Sequence, residues 1–204
     1  MDSTIPSRRY SFNYSPHEPL GNDGYMPRKP IARDAVLDAF EALLIEVGER
    51  AATLDAVAKR AGVSKGGLLY HFPNKEALIT ALLERLDLLA DEDTELMKAA
   101  PDGSAAYFIR SSLWADTPMD RAFVAATRLA EVAHEETRRR FAAIQQRWLD
   151  VLAEDVGPEV AKAVSYMGDG LYFNAIFEGG QEGGNAGREA DVEILLGVLE
   201  RLRK

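Results

Sequence analysis

The stretch TLDAVAKRAGVSKGGLLYHFPNK, residues 53–75, carries two helical signals separated by a glycine. Thr53 suits a helix N-cap, and Asp55 falls in the first turn, where the helix dipole favours an acid. Leu54, Val57, Ala58 and Ala61 recur at helical spacing until Gly62 stops them. Ser64 suits a second cap, and the helix it starts runs through Leu68, Leu69 and Phe72 to end at Pro73. Each segment is too short to be stable alone, so the pair must pack at an angle against neighbours. Two such helices joined by Gly-Val-Ser read as a helix-turn-helix, whose second helix enters the major groove of DNA.

Outward from this pair the pattern stays helical. On the N-terminal side, Pro30 suits a first helical position, and Ala35, Ala39, Leu43 and Val47, with Val36 and Phe40, make one apolar face ending at Gly48. On the other side Asn74 caps a longer helix whose stripe is Ala77, Leu78, Ala81, Leu82, Leu86 and Leu89. Further helices are expected at 104–115, 118–133, 135–155, 159–178 and 189–203, with Thr117-Pro118 and Gly157-Pro158 as stop-and-restart signals. Alternating β-branched runs are few, so the fold class is all-α. Residues 1–28, with Pro6, Pro16, Pro19, Pro27, Gly21 and Gly24, read as an extended arm. Its Tyr10, Phe12, Tyr14 and Tyr25 favour an arm laid on a folded surface, and Arg8 and Arg9 are candidates for a minor groove.

The 204 residues hold 24 Lys plus Arg against 33 Asp plus Glu, a net charge of −9, and no Cys. The missing cysteines exclude a disulfide scaffold, thiolate catalysis and cysteine-built zinc sites. No apolar run approaches the roughly 18 residues needed to span a membrane, and no secretory leader is expected, so a cytoplasmic protein is the reading. Acidity on its own argues against nucleic acid. Its distribution reverses that: residues 1–28 are neutral, 29–75 carry +1 and 76–204 carry −10, while 59–75 hold Lys59, Arg60, Lys65 and Lys75 and no acid.

Thr53, the Ala58…Ala61-Gly62-Val63-Ser64 turn, Lys65-Gly66, His71-Phe72 and Lys75-Glu76-Ala77-Leu78 resemble the TetR family of bacterial transcriptional regulators. The resemblance implies an N-terminal three-helix helix-turn-helix DNA-binding domain over 29–75, and a C-terminal helical ligand-binding and dimerisation domain over 76–204. It also implies a sequence-specific regulator, in the first instance a dimeric repressor released from a pseudopalindromic operator by a small-molecule effector. An activator of the same fold is the alternative, and a helical interaction protein without DNA the more distant one.

The candidate DNA-contacting residues are Thr53, Ser64, Lys65, Gly66, Gly67, Tyr70, His71 and Lys75. Lys65, near the start of the second helix, can reach guanine O6 or N7, while Lys75 suits phosphate. Gly66 and Gly67 let backbone N–H groups approach phosphate or base edges closely. Thr53 serves as a cap, a phosphate contact or both, and His71 either packs inward or meets phosphate. Where many relatives carry an aromatic for phosphate this chain has Leu69, with Tyr70 one place later and about 100° around the helix. Tyr70 takes that role, or Leu69 touches a thymine methyl or the core.

Two tasks are expected of the acidic region. The resemblance assigns dimerisation to Leu171, Ile176 and Phe177 and to Val192, Leu195, Leu196, Leu199 and Leu202 of the final helix; the alternative is that these helices cap the core of the single protomer. Effector sensing falls to Phe108, Trp114, Phe123, Arg128, Glu131, Trp148, Asp169, Tyr172, Phe173 and Asn174. Asp169 in an apolar helix needs a partner, in the protein or on a cationic ligand, and aromatics beside a carboxylate suit an amine or quaternary ammonium. An effector that is apolar or cationic is therefore expected, with no cofactor and no metal.

Enzyme motifs are present only in fragments. Gly62-Val63-Ser64-Lys65-Gly66 satisfies G-x-S-x-G, but a nucleophile elbow needs a preceding strand. His134-Glu135 opens a zinc pattern that fails because position 138 is Arg. Gly179, Gly180, Gly183, Gly184 and Gly187 read as a flexible connection.

Overall fold

The short helices start where side chains can cap them. In the computed structural model, which describes residues 29–113, 115–131, 135–177 and 185–203, Thr53 Oγ1 accepts the Ala56 N–H at 3.2 Å, Ser64 Oγ the Gly67 N–H at 3.0 Å and Asn74 Oδ1 the Ala77 N–H at 2.9 Å. Each cap satisfies an N–H that has no partner within its own helix. The elements are α1 (Lys29–Val47), α2 (Leu54–Arg60), α3 (Lys65–His71), α4 (Lys75–Lys98), α5 (Ser104–Ser111), α6 (Pro118–Glu131), α7 (Glu135–Val156), α8 (Pro158–Phe177) and α9 (Asn185–Leu202). Among the described residues there is no strand. Gly187, expected in a linker, lies inside α9, which starts four residues earlier than its apolar stripe implies. The arm over 1–28 and Gly179, Gly180, Gly183 and Gly184 lie outside the described residues.

Two apolar clusters hold the helices together. The first joins Val36, Phe40 and Leu44 of α1 to Val57, Leu68 and Phe72, then continues through Leu78, Leu82 and Leu86 to Phe123 and Leu129 of α6. The helix-turn-helix therefore shares its core with α6 instead of closing on itself. The second cluster joins Met97, Phe108, Ile109, Leu152, Val164 and Leu171 to Val192 and Leu199 of α9. Trp148 of α7 packs against both. Truncating a fully buried leucine in such a core typically costs about 2–5 kcal/mol.

Ion pairs set the register of α4 against its neighbours. Arg85 reaches Asp38 at 2.6 Å and Glu41 at 3.0 Å on α1. Burial pushes the Glu41 carboxyl above its usual range, and Arg85 pulls it back down. Further along, Arg140 of α7 meets Asp87 at 2.8 Å, and Arg147 meets Asp91 at 2.6 Å and Asp87 at 3.6 Å. These pairs are half-exposed and individually worth little, but the two arginines sit two turns apart against two aspartates one turn apart, which specifies one register.

A candidate nucleic-acid interface and the helical body behind it

Gly62 takes φ +68°, a left-handed conformation that disfavours any side chain, and lets the chain turn sharply between α2 and α3. The Val63 N–H closes the turn on the Ala58 carbonyl at 3.0 Å. Leu68 and Phe72 then pull one side of α3 into the core, leaving the opposite side to solvent. Gly66, Gly67, Leu69 and Tyr70 are exposed, as is Lys65 at the start of the helix, with His71 half-buried at the end. Tyr70 and His71 meet edge to face, ring centroids 5.2 Å apart. Leu69 is 38% exposed and so is not a core residue. Ser64 is occupied as the cap of α3 and follows a helix, which removes the nucleophile-elbow reading.

The basic stretch is less positive in space than in sequence. Arg60 makes a two-pronged pair with Glu46 at 2.6 and 2.7 Å, and those hydrogen bonds hold the Glu46 carboxyl below its usual range. Lys65 pairs with Asp55 of α2 at 3.0 Å. Lys75 donates to both the carbonyl and the carboxylate of Glu49, at 2.5 and 2.6 Å. Only Lys59 is left without an acidic partner among the described residues. The expectation of a locally free positive patch is thus corrected: Glu46, Glu49 and Asp55 lie upstream in sequence but fold beside it.

Behind this reader, Phe123 of α6 gathers the rings of Phe141 at 4.5 Å, Tyr172 at 5.4 Å and Trp148 at 6.1 Å, and Phe108 meets Trp148 at 6.1 Å. The Tyr172 hydroxyl donates to Asp120 at 3.1 Å. Burial, reinforced by that carboxylate, pushes the Tyr172 phenol well above its usual range. Asp120 also closes a capping box on α6: its carboxylate accepts the Thr117 N–H at 2.9 Å, and Thr117 Oγ1 accepts the Asp120 N–H at 3.1 Å. Asp120 and Phe141 escaped the sequence reading, although Thr117-Pro118-Met119-Asp120 has the spacing of a capping box. Among the described residues the buried Trp148 indole N–H has no acceptor.

Of the expected effector residues, Phe108, Phe123, Trp148 and Tyr172 converge, and Arg128 is half-buried on α6. Phe173 and Asn174 instead lie exposed on α8, the Phe173 ring 6.4 Å from that of Tyr172. Asp169 is half-buried without a hydrogen bond among the described residues, and burial raises its pKa against the pull of Lys162. Trp114 and the Glu131 side chain lie outside the described residues. The aromatic cluster is packed; a cavity of about 300 Å3 opens elsewhere, lined by Lys98, Gly103, Ser104, Val151, Glu154 and Asp155.

The expected dimer residues also need correction. Leu171, Val192 and Leu199 are buried within the protomer, and Leu195 and Leu196 pack on the same cluster, because α9 spends its stripe on α5 and α8. Leu202 faces solvent, as do Tyr166, Phe173 and Ile194. The side chains of Ile176 and Phe177 lie outside the described residues. No helix among the described residues is long and apolar enough to cross a membrane.

Comparison with known proteins agrees with this architecture. Residues 36–82 match the model of bacterial regulatory proteins of the tetR family, and 102–200 that of the tetracyclin repressor-like C-terminal domain. The HTH-type transcriptional regulator BetI of Klebsiella pneumoniae is 37% identical over 79 residues, 38% of this chain and 40% of that protein. BetI of Rhizobium meliloti is 29% identical over 158 residues, 71% of this chain and 78% of that one. The matched region thus spans about two fifths of the first of these relatives. A transcriptional regulator from Saccharomonospora viridis, solved with choline, shares the fold at 17% identity and a TM-score of 0.64, over 83% of this chain and 95% of that one. The chain belongs to the TetR family of bacterial regulatory proteins, a class of transcriptional regulators and not of enzymes.

Proposed function

We propose that the chain is a cytoplasmic homodimeric repressor that leaves a pseudopalindromic DNA operator when a small apolar or cationic effector binds its C-terminal helices. The observation that carries this reading is the solvent-facing side of α3, held outward by buried Leu68 and Phe72 in a helix-turn-helix of this family. Lys65 reads guanine O6 or N7, and the Gly66 and Gly67 backbone comes close to the duplex. Thr53, Ser64, Tyr70, His71 and Lys75 contact phosphate on either side. Lys75 gives two of its three donors to Glu49, which leaves one for phosphate.

Outward-facing Tyr166 and Phe173 on α8, with Ile194 and Leu202 on α9, support pairing of two copies through these helices. Two recognition helices then meet successive major-groove faces about 34 Å apart, or a multiple of that. The packed aromatics and the half-buried Asp169 support an amine or quaternary ammonium as effector. Choline in the Saccharomonospora viridis regulator is such a cation. Effector binding shifts the ensemble toward a spacing of the two readers that misses one half-site.

The test is a gel shift with the full chain on duplexes selected from a randomised library. Wild type retains a sequence with two half-sites, Lys65→Ala binds it more weakly and less selectively, and Lys75→Ala loses affinity for all DNA alike. Retention of no sequence, or equal affinity of the three proteins, overturns the reading.

A further inference from the structure

On α3, Gly66, Leu69 and Tyr70 stand at i, i+3 and i+4 and are therefore neighbours on one face. Side chains on a helix lean toward its N-terminus, so Leu69 and Tyr70 lean over the turn that holds Gly66. Gly66 has no side chain, and a Cβ placed there would meet nothing within 4 Å. The Gly66 backbone is thus open to solvent, flanked on the same face by Leu69, 38% exposed, and Tyr70, 69% exposed. It lies opposite Leu68, the residue that anchors the helix inward, and so at the centre of the face turned to the duplex.

Most polar reading is absent from this face. The helix carries no Arg, Asn, Gln, Asp or Glu, and its side-chain donors are Lys65 at one end, the Tyr70 hydroxyl and half-buried His71 at the other end. In the major groove the one apolar group that base edges present is the 5-methyl of thymine. We propose that Leu69 and Tyr70, flanking the open Gly66 backbone, receive a thymine methyl group, which makes Leu69 a specificity-determining residue of each half-site. This rests on the DNA-binding reading above and adds to it which base is read, by which side chain, through which group.

The experiment uses the full chain and a duplex selected from a randomised library. Each thymine is replaced in turn by deoxyuridine, which removes the methyl and leaves the hydrogen-bonding edge unchanged. For wild type, one thymine per half-site should show a loss of roughly three- to fivefold, the effect of burying about one methyl group. Leu69→Ala should bind the unmodified duplex about as weakly as wild type binds the deoxyuridine duplex, and should be indifferent to the replacement. Gly66→Ala adds a methyl group to this open face without touching the protein, so it should keep or raise the melting temperature while lowering operator affinity about tenfold or more.

Selection of a duplex in which no thymine is methyl-dependent, or equal sensitivity of wild type and Leu69→Ala at every thymine, overturns the inference and leaves the DNA-binding reading standing. Unchanged affinity of Gly66→Ala overturns it as well. Failure to select any duplex brings down both.

Discussion

Gly168 and Gly170 lie one residue apart around Asp169 in the same helix, and alanine at the two sites should act with opposite sign. Replacing glycine by alanine inside a helix gains about 0.8–1 kcal/mol from backbone entropy alone. At Gly170 a Cβ meets nothing within 4 Å, so that gain stands, and the melting midpoint should rise by about 2–4 °C for a chain of this size. At Gly168 a Cβ would overlap the Phe108 ring and sit 2.6 Å from Ser112 Oγ, on the face where α8 packs against α5. Phe108 is itself held against Trp148, so it cannot simply swing away. Such overpacking costs about 1–3 kcal/mol. Near the top of that range it outweighs the gain by about 1–2 kcal/mol and lowers the midpoint by several degrees. Thermal melts of both variants, each at two protein concentrations to separate assembly from folding, read the difference directly. An increase for Gly168→Ala as large as that for Gly170→Ala would refute the reasoning.

Two further outcomes follow from the charges. Asp55→Asn releases Lys65 and removes an acid from the reader, so the salt dependence of DNA affinity, measured by fluorescence anisotropy, should steepen by about one unit of slope; an unchanged slope counts against Lys65 facing the duplex. Burial raises the Asp169 pKa above its unfolded value, so its carboxylate costs nothing at low pH and disfavours folding increasingly as pH climbs through the folded pKa. Urea melts should therefore show Asp169→Asn more stable than wild type at pH 7, with the gap closing toward pH 4; a gap that stays constant rejects the assignment.

Local punctuation made most helix ends legible. Thr53, Ser64 and Asn74 are caps by residue type, and each makes the backbone bond that its type implies. The start of α9 was misplaced because Gly187 suggested a linker, whereas the helix runs through it from Asn185. Apolar stripes showed that α9 buries one side but not against what, and Val192 and Leu199 turned out to serve the protomer core. Charge neighbours were hidden for a similar reason. Arg60 finds Glu46 and Lys75 finds Glu49 across 14 and 26 residues of chain, a proximity created by the turn between α1 and α2. The outward position of Leu69 needed the helix to be oriented, which Leu68 and Phe72 do only once α1 and α4 are in place.

The paired charges between α4 and α7 act as a fulcrum. Asp87 and Asp91 are clamped near the middle of a 24-residue helix whose first residue is Lys75, itself tied to Glu49 in the turn that follows α1. From Asp87 to Lys75 the helix is about 18 Å long at 1.5 Å per residue. A tilt of about 10° about the clamp swings that end by about 3 Å, nearly one base-pair step on the duplex. In the proposed dimer, with two readers on two grooves, each protomer would contribute such a displacement. Under the proposed function, a small rearrangement among the packed rings would be geared up, by lever length alone, to the scale on which DNA distinguishes a fitting protein from a misfitting one.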